Sequence, residues 1–307
     1  MEELRQRFLE MQGLDNYQRV DSEHPVTLFI GLDSTARYSL FCITETLPSR
    51  SITSSRIITV FVGQRQDGTY GITFSLTDQA FMDHFICFCS DMIRSSRSIK
   101  DQGKTADFLC ARYVQWQKAF SKGNNGLLSP SEIKGLIGEM CFLQSRMIPQ
   151  YGEEKALSSW CGPDMSDRDF ACADTWYEVK STVSGAAVVT ISSVEQLDSD
   201  RTGHLAVSIL DKTSANDSSA LTLNKMYHIL RNSLSSELLS QKLDTILLTF
   251  GYYENKAYDN YCFHYNGTTM YRVDTGFPCA RKKDLPIAVQ NMKYELSLAA
   301  IQEYREV

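Results

Sequence analysis

Asp169-Phe170-Ala171-Cys172-Ala173-Asp174-Thr175-Trp176-Tyr177-Glu178-Val179-Lys180-Ser181 is the stretch that decides how this chain is read. Ala173-Asp174-Thr175 is a short turn, so the flanking segments are expected as two adjacent strands. Strand side chains alternate, which puts Glu178 and Lys180 on one face. Neighbouring strands lie about 5 Å apart, so Asp169 and Glu178 can share one metal ion. Mg²⁺ takes oxygen ligands in an octahedron and keeps several waters. Two carboxylates, the Val179 carbonyl, a phosphate oxygen and waters would fill that shell. The Lys180 ammonium beside it can orient water or stabilise charge on phosphate. The pattern predicts metal-dependent cleavage of a phosphodiester. The bland reading is a cross-strand ion pair between Lys180 and Asp169.

Upstream, Ser129-Pro130-Ser131-Glu132 reads as a helix start, with Ser129 as N-cap and Pro130 at the first helical position. The helix is expected to run to about Met147. Ile133, Leu136, Met140, Leu143 and Met147 form its apolar stripe, and Glu139 falls on the flank of that stripe. A carboxylate at the border of a packed face is costly unless partnered. Gly135 and Gly138 each cost the helix about 1 kcal/mol relative to Ala, which makes sense if a backbone or a substrate approaches closely. Glu139 is therefore a candidate for completing the metal shell. Downstream, Ser193 and Gln196 stand at capping-box spacing and, with Ser181, are candidates for contacting substrate. Capping or strand-surface roles are the alternative for the two serines. Asp164, in Pro163-Asp164, competes with Asp169 for the role of first acid; Asp169 is preferred because it begins the apolar strand.

Taken together, these residues resemble the PD-(D/E)XK nuclease superfamily, and more closely the bacterial PD-(D/E)XK motif proteins. The resemblance rests on Gly138-Glu139, Trp160-Cys161-Gly162-Pro163, Asp169-Phe170, Glu178-Val179-Lys180-Ser181 and Ile191-Ser192-Ser193-Val194-Glu195-Gln196-Leu197. Phe277-Pro278 and Tyr294-Glu295-Leu296 extend it into the tail. It covers most of the chain, but only the central stretch is specific. It implies an α/β (α+β) fold, a restriction-endonuclease-like mixed sheet flanked by helices. It also implies DNA cleavage with Mg²⁺ or Mn²⁺ in restriction or phage defence, beside ATPase or methyltransferase partners. One departure is that the literal Pro-Asp does not immediately precede Asp169. Since the superfamily contains inactive members, fold alone does not settle activity. The competing functions are a catalytically silent scaffold or DNA-binding subunit, and a nuclease for RNA or structured DNA.

The 307 residues suffice for one large or two small domains, with 43% hydrophobic and 22% charged residues. The net charge of −6 argues against a stand-alone, tight, non-specific DNA binder, because phosphate contacts need Lys and Arg. Local basic runs at 94–104 and Arg281-Lys282-Lys283 are candidate backbone contacts, or merely solvated surface. The nine cysteines are scattered and odd in number, as expected of reduced core thiols. Cys87 and Cys89 lack a second pair at zinc spacing. The five histidines show no ligand spacing, and neither a glycine-rich phosphate loop nor a G-x-S-x-G elbow is present. Neither a signal peptide nor a membrane-length apolar run is visible, so a cytosolic protein is expected.

Residues 1–12 read as a short amphipathic helix. Between Val26 and about Leu76 lie four β-rich runs, and Gln66-Asp67-Gly68 signals a hairpin. Helical patterns follow at about 77–95 and 106–120. The loop at 121–126 divides the chain into an antiparallel β-rich and helical region, 1–125, and a nuclease-like domain, 126–307. The first would serve DNA contact, dimerisation or partner docking. A two-fold homodimer suits duplex cleavage, which needs two cuts. In the second domain strands are expected near 187–191, 205–210 and 246–252. A helix is expected over 221–242, and a hairpin at Asn266-Gly267. The segment 294–301 reads as strand or helix.

Overall fold

The structure, a computed structural model, describes residues 1–121, 126–161 and 167–306. Asp164, Gly162-Pro163 and most of the loop at 121–126 lie outside the described residues. The chain divides into two compact units, Met1–Gly126 and Leu127–Val307.

The first unit opens with α1 (Glu2–Leu9) and continues through β1 (Asn16–Arg19), β2 (Thr27–Leu32), β3 (Tyr38–Thr44), β4 (Ile58–Gln64) and β5 (Tyr70–Leu76). These strands form one antiparallel sheet in the order β1-β2-β3-β5-β4. Period-2 alternation sends Leu28, Ile30, Leu40, Cys42, Ile72 and Phe74 inward, all fully buried. Helices α2 (Met82–Ser96) and α3 (Thr105–Ser121) cover that face. Phe74 packs on Phe88 of α2 and Tyr113 of α3, with ring centroids 5.3 and 5.2 Å away.

The second unit begins with α4 (Pro130–Phe142), whose capping box joins Ser129 and Glu132 reciprocally. A π-helical turn at Leu143–Met147 carries it into α5 (Ile148–Tyr151), so the helical path runs past Met147. After α6 (Glu153–Ser159) come β6 (Phe170–Ala171) and β7 (Trp176–Thr182), joined by a turn in which Cys172 N donates to Thr175 O. β8 (Val188–Ile191) follows, then β9 (Gly203–Lys212), α7 (Leu223–Ser233), α8 (Glu237–Phe250), β10 (Phe263–Val273) and β11 (Tyr294–Ser297). The main sheet has the order β10-β9-β7-β6; β7 and β9 are parallel and the other pairs antiparallel. β8 pairs with β11 in a separate two-stranded ribbon. The result is a mixed α+β architecture whose parallel pair is flanked by helices.

Three local expectations are corrected. Residues 246–250 are the end of α8, not a strand: Ser236 caps its start, and Leu243, Leu247 and Leu248 recur at helical spacing into the core. Asn266-Gly267 does not turn a hairpin. β10 runs straight through it as a single 11-residue strand, with a register shift between Tyr265 and Thr268 opposite β9. Gly267, at φ +97°, supplies the left-handed residue of a bulge, and Asn266 Nδ2 donates to Asp211 Oδ2 of β9. Ser193 makes no side-chain cap bond on the 3₁₀ turn Val194–Gln196; its side chain bonds Glu195 instead. Among the described residues, no helix is long and apolar enough to cross a membrane.

Candidate active site

β7 carries the centre of the site. Its odd residues Tyr177 and Val179 join the core beneath α4, α7 and α8. Ser181 continues that face and meets Gly138 of α4: a Cβ on Gly138 would lie 2.0 Å from Ser181 Oγ. That close approach explains the glycine. Gly135, one turn earlier, has nothing within 4 Å of where its Cβ would stand. The even residues Glu178 and Lys180 point to the opposite face. Lys180 Nζ donates to Glu178 Oε1 at 2.6 Å and to Gln196 Oε1 at 3.0 Å. Gln196 Oε1 also accepts from Ser192 N at 2.8 Å, which fixes the amide. The alternative, a cross-strand pair of Lys180 with Asp169, is therefore not the ion pair formed.

Asp169 stands at the sheet edge, just before β6. Its Oδ2 accepts from Val179 N at 2.7 Å. A strand residue turns its N–H and C=O to the same side, so the Val179 carbonyl faces that edge too. Glu139 reaches the site from α4. Trp160 Nε1 donates to its Oε2 at 2.8 Å, and this is the partner that a carboxylate on the flank of an apolar stripe requires. Arg168 lies over the Trp176 ring at 4.5 Å and donates to Asp198 O at 2.7 Å.

Burial raises the proton affinity of all three acids. Burial first, and then the Asp169 charge, push the Glu178 carboxyl up to about 8, against the pull of Lys180 and Arg168. Glu139 is raised well above the ordinary carboxylate range by burial, by Asp169 and, less strongly, by Glu178, with the Trp160 bond opposing. Asp169 is raised by burial, opposed by Lys180 and the Val179 N–H. Glu178 is 1% exposed, and its Oε2 is buried with no hydrogen-bond partner among the described residues.

These side chains suit a divalent cation in chemistry: all are hard oxygen donors, mutually repelling, with one buried oxygen unsatisfied. They do not form a closed shell. Among the described residues, no three His, Cys, Asp or Glu side chains are drawn round a common point. The reason is geometric: Glu139 comes from the α4 side of the sheet, Glu178 lies on the other, and Asp169 sits at the edge between them. The structure thus brings together Glu139, Asp169, Glu178, Lys180, Gln196 and the Val179 backbone. Ser181 lies on the α4 side, its Oγ buried and unpartnered among the described residues, while Ser193 turns to Glu195. Trp160 and Arg168 enter the site without having been assigned a role from sequence. The only sequence signal for Trp160 was its place in the quoted Trp160-Cys161-Gly162-Pro163 stretch.

The comparison with known families bears directly on this arrangement. The family model described as "Putative PD-(D/E)XK family member, (DUF4420)" matches residues 5–299. The chain belongs to that family. No curated protein and no solved structure matches it. The PD-(D/E)XK assignment covers both units, so the N-terminal sheet is part of what the family shares rather than an appendage to it.

Proposed function

We propose that this chain is a metal-dependent endonuclease that hydrolyses DNA phosphodiester bonds, in a restriction or phage-defence setting. The observation that carries the reading is the cluster of Glu139, Asp169 and Glu178 beside Lys180, with Glu178 Oε2 buried and unpartnered among the described residues. Burial raises the proton affinity of all three carboxyls, and a cation in place of those protons would supply the balancing charge.

Asp169, Glu178 and the Val179 carbonyl would hold Mg²⁺ or Mn²⁺, with Glu139 completing the shell. When bound, the cation supplies Lewis-acid polarisation of the phosphate and lowers the pKa of water. The chain's own residues do the rest. Val179 N–H and Trp160 Nε1–H orient Asp169 and Glu139. Gln196 holds Lys180 against the strand face, where the ammonium can hydrogen-bond a phosphate oxygen as its charge grows. A two-fold pair of chains would deliver the two cuts that a duplex needs.

The test is incubation of supercoiled plasmid and phage DNA with Mg²⁺ or Mn²⁺, comparing wild type with Lys180→Ala and Asp169→Ala. Nicking or linearisation by wild type, lost in both folded variants, is expected. Cleavage that survives both substitutions would place the chemistry elsewhere. A second reading, a nuclease fold that does not cut, is favoured by the absence of a converged acidic group among the described residues. Failure to cut together with failure to bind Mn²⁺ would select it.

A further inference from the structure

The antiparallel sheet of the first unit has a second face, turned away from α2 and α3. Pairing places Arg19 beside Phe29, Phe29 beside Phe41, Phe41 beside Thr73, and Thr73 beside Phe61. One row of side chains therefore crosses all five strands and carries three phenylalanines. Tyr17, from β1, packs its ring 5.4 Å from that of Phe41, and Phe29 lies 6.0 Å from Phe41 on the other side. Phe61 closes the row at the edge strand and is 68% exposed. Two glycines, Gly63 and Gly71, face each other in the next row. A Cβ on Gly63 would meet the Phe61 ring at 2.8 Å, and one on Gly71 would meet the Phe41 ring at 2.8 Å. The missing side chains let both rings lie down over the sheet instead of standing off it.

Guanidinium groups border these rings, two of them ion-paired with aspartates. Arg65 sits over Phe41, 5.8 Å from its centroid. Arg37 reaches Thr59, which shares this face, and Arg19 extends from the end of the row. Asp33 and Asp67 pair with Arg37 and Arg65 and hold their guanidinium groups in place.

We propose that this face is a stacking platform for single-stranded nucleic acid. Every base has a flat π-face, so aromatic rings bind unpaired bases with little regard to sequence, while guanidinium groups take the phosphates or stack in turn. A duplex hides those faces in its stack and is held through phosphates. The first unit is poorly equipped for that, since its 126 residues carry 14 basic and 14 acidic side chains. A second copy of the chain would have to set the patch against itself in an isologous contact. The platform does not depend on the carboxylate cluster, so it stands or falls apart from the proposed cleavage.

The experiment is fluorescence anisotropy with the full chain in EDTA, which removes divalent metal and with it any cutting. The probes are labelled dT20, labelled U20 and a duplex of the same length. Variants are Phe61→Ala, Arg65→Ala and, as a control at an exposed position of the second unit, Leu238→Ala, each checked by circular dichroism. Binding of dT20 or U20 more tightly than duplex is expected, with a shallow salt dependence. Phe61→Ala should weaken it by about ten-fold, Arg65→Ala should weaken it less, and Leu238→Ala should leave it unchanged. A duplex preference, or single-strand binding indifferent to Phe61→Ala, would overturn the proposal. So would light scattering that shows a dimer lost in Phe61→Ala without any change in probe binding, which would assign the face to a second copy.

Discussion

Each unit of this molecule buries a carboxylate under an indole N–H and beside a cation, yet the two arrangements differ in kind. In the first, Arg112 grips Asp91 with two bonds of 2.8 Å, Nε to Oδ2 and Nη2 to Oδ1. Trp116 Nε1 adds a third at 2.7 Å. One acid, one bidentate cation and one indole use both carboxylate oxygens, and Arg94 adds a second ion pair to Oδ1 at 3.5 Å. In the second, Trp160 serves Glu139 and Lys180 serves Glu178, but Glu178 Oε2 is left unpartnered among the described residues, and burial raises the proton affinity of Glu139, Asp169 and Glu178 alike. A buried pair that satisfies itself is complete; carboxyls raised by burial, one with an unsatisfied oxygen, are candidates for a ligand. The same residue types thus serve structure in one place and candidate chemistry in the other.

That contrast can be broken at several points. The largest effect is expected on cleavage: Asp169→Asn or Lys180→Ala should lower the rate of plasmid nicking by about 10²–10⁴-fold. Neither should lower stability in urea by a comparable amount. Next, Arg112→Ala should destabilise the first unit by about 3–5 kcal/mol, because Asp91 would remain buried without its bidentate partner. Urea denaturation followed by tryptophan fluorescence reads this, and a neutral result would remove the structural half of the contrast.

The two units should also answer pH in opposite directions. Glu178 has a folded value near 8, raised by burial from an unfolded value near 4.5, so the native state holds the extra proton between them. Its contribution is present below about pH 4.5 and is lost as pH rises towards 8, by about 2–4 kcal/mol without metal. Asp33 goes the other way. Burial raises it, but the Arg37 and Thr35 N–H groups and the Thr35 hydroxyl outweigh burial and hold it at about 2, below its ordinary 3.8. That contribution is present above pH 3.8 and is lost as pH falls towards 2, by about 1–2 kcal/mol. Thermal melts across pH 2–9 in EDTA, with Glu178→Gln and Asp33→Asn as controls, would separate the two slopes. The smallest effect is expected from Trp160→Phe, which removes the donor to Glu139 at a cost of about 1–2 kcal/mol. Cleavage should fall modestly, and the metal dependence should shift to higher concentration.

Much of this was legible because it is local. The turn at 173–175 and the alternation along β7 put Glu178 and Lys180 on one face, and they bond there. The hairpin at Gln66-Asp67-Gly68 forms as its residues direct, with Gly68 at φ +84°. What stayed hidden depended on partners distant in sequence. A short apolar run such as Ile246–Phe250 fits a buried strand or a helix until its N-cap and its packing are known. Asn266-Gly267 carries a strong turn signal, yet the ten-residue β9 offers a ladder on both sides of it, and the left-handed glycine becomes a bulge. Gln196 had the spacing of a capping box, but its carbonyl accepts from Ser192 N and Lys180 Nζ instead. The Trp160–Glu139 bond spans 21 residues, and no local pattern reports it.

The central claim is that the carboxylate cluster exists to hold a cation. Isothermal titration of the metal-free chain with Mn²⁺ tests it most directly, using wild type, Glu178→Gln and Asp91→Asn as a structural control. The expected result is saturable binding by wild type and Asp91→Asn, lost in Glu178→Gln with the fold intact. Equal binding by wild type and Glu178→Gln, or none by a folded wild type, would contradict it.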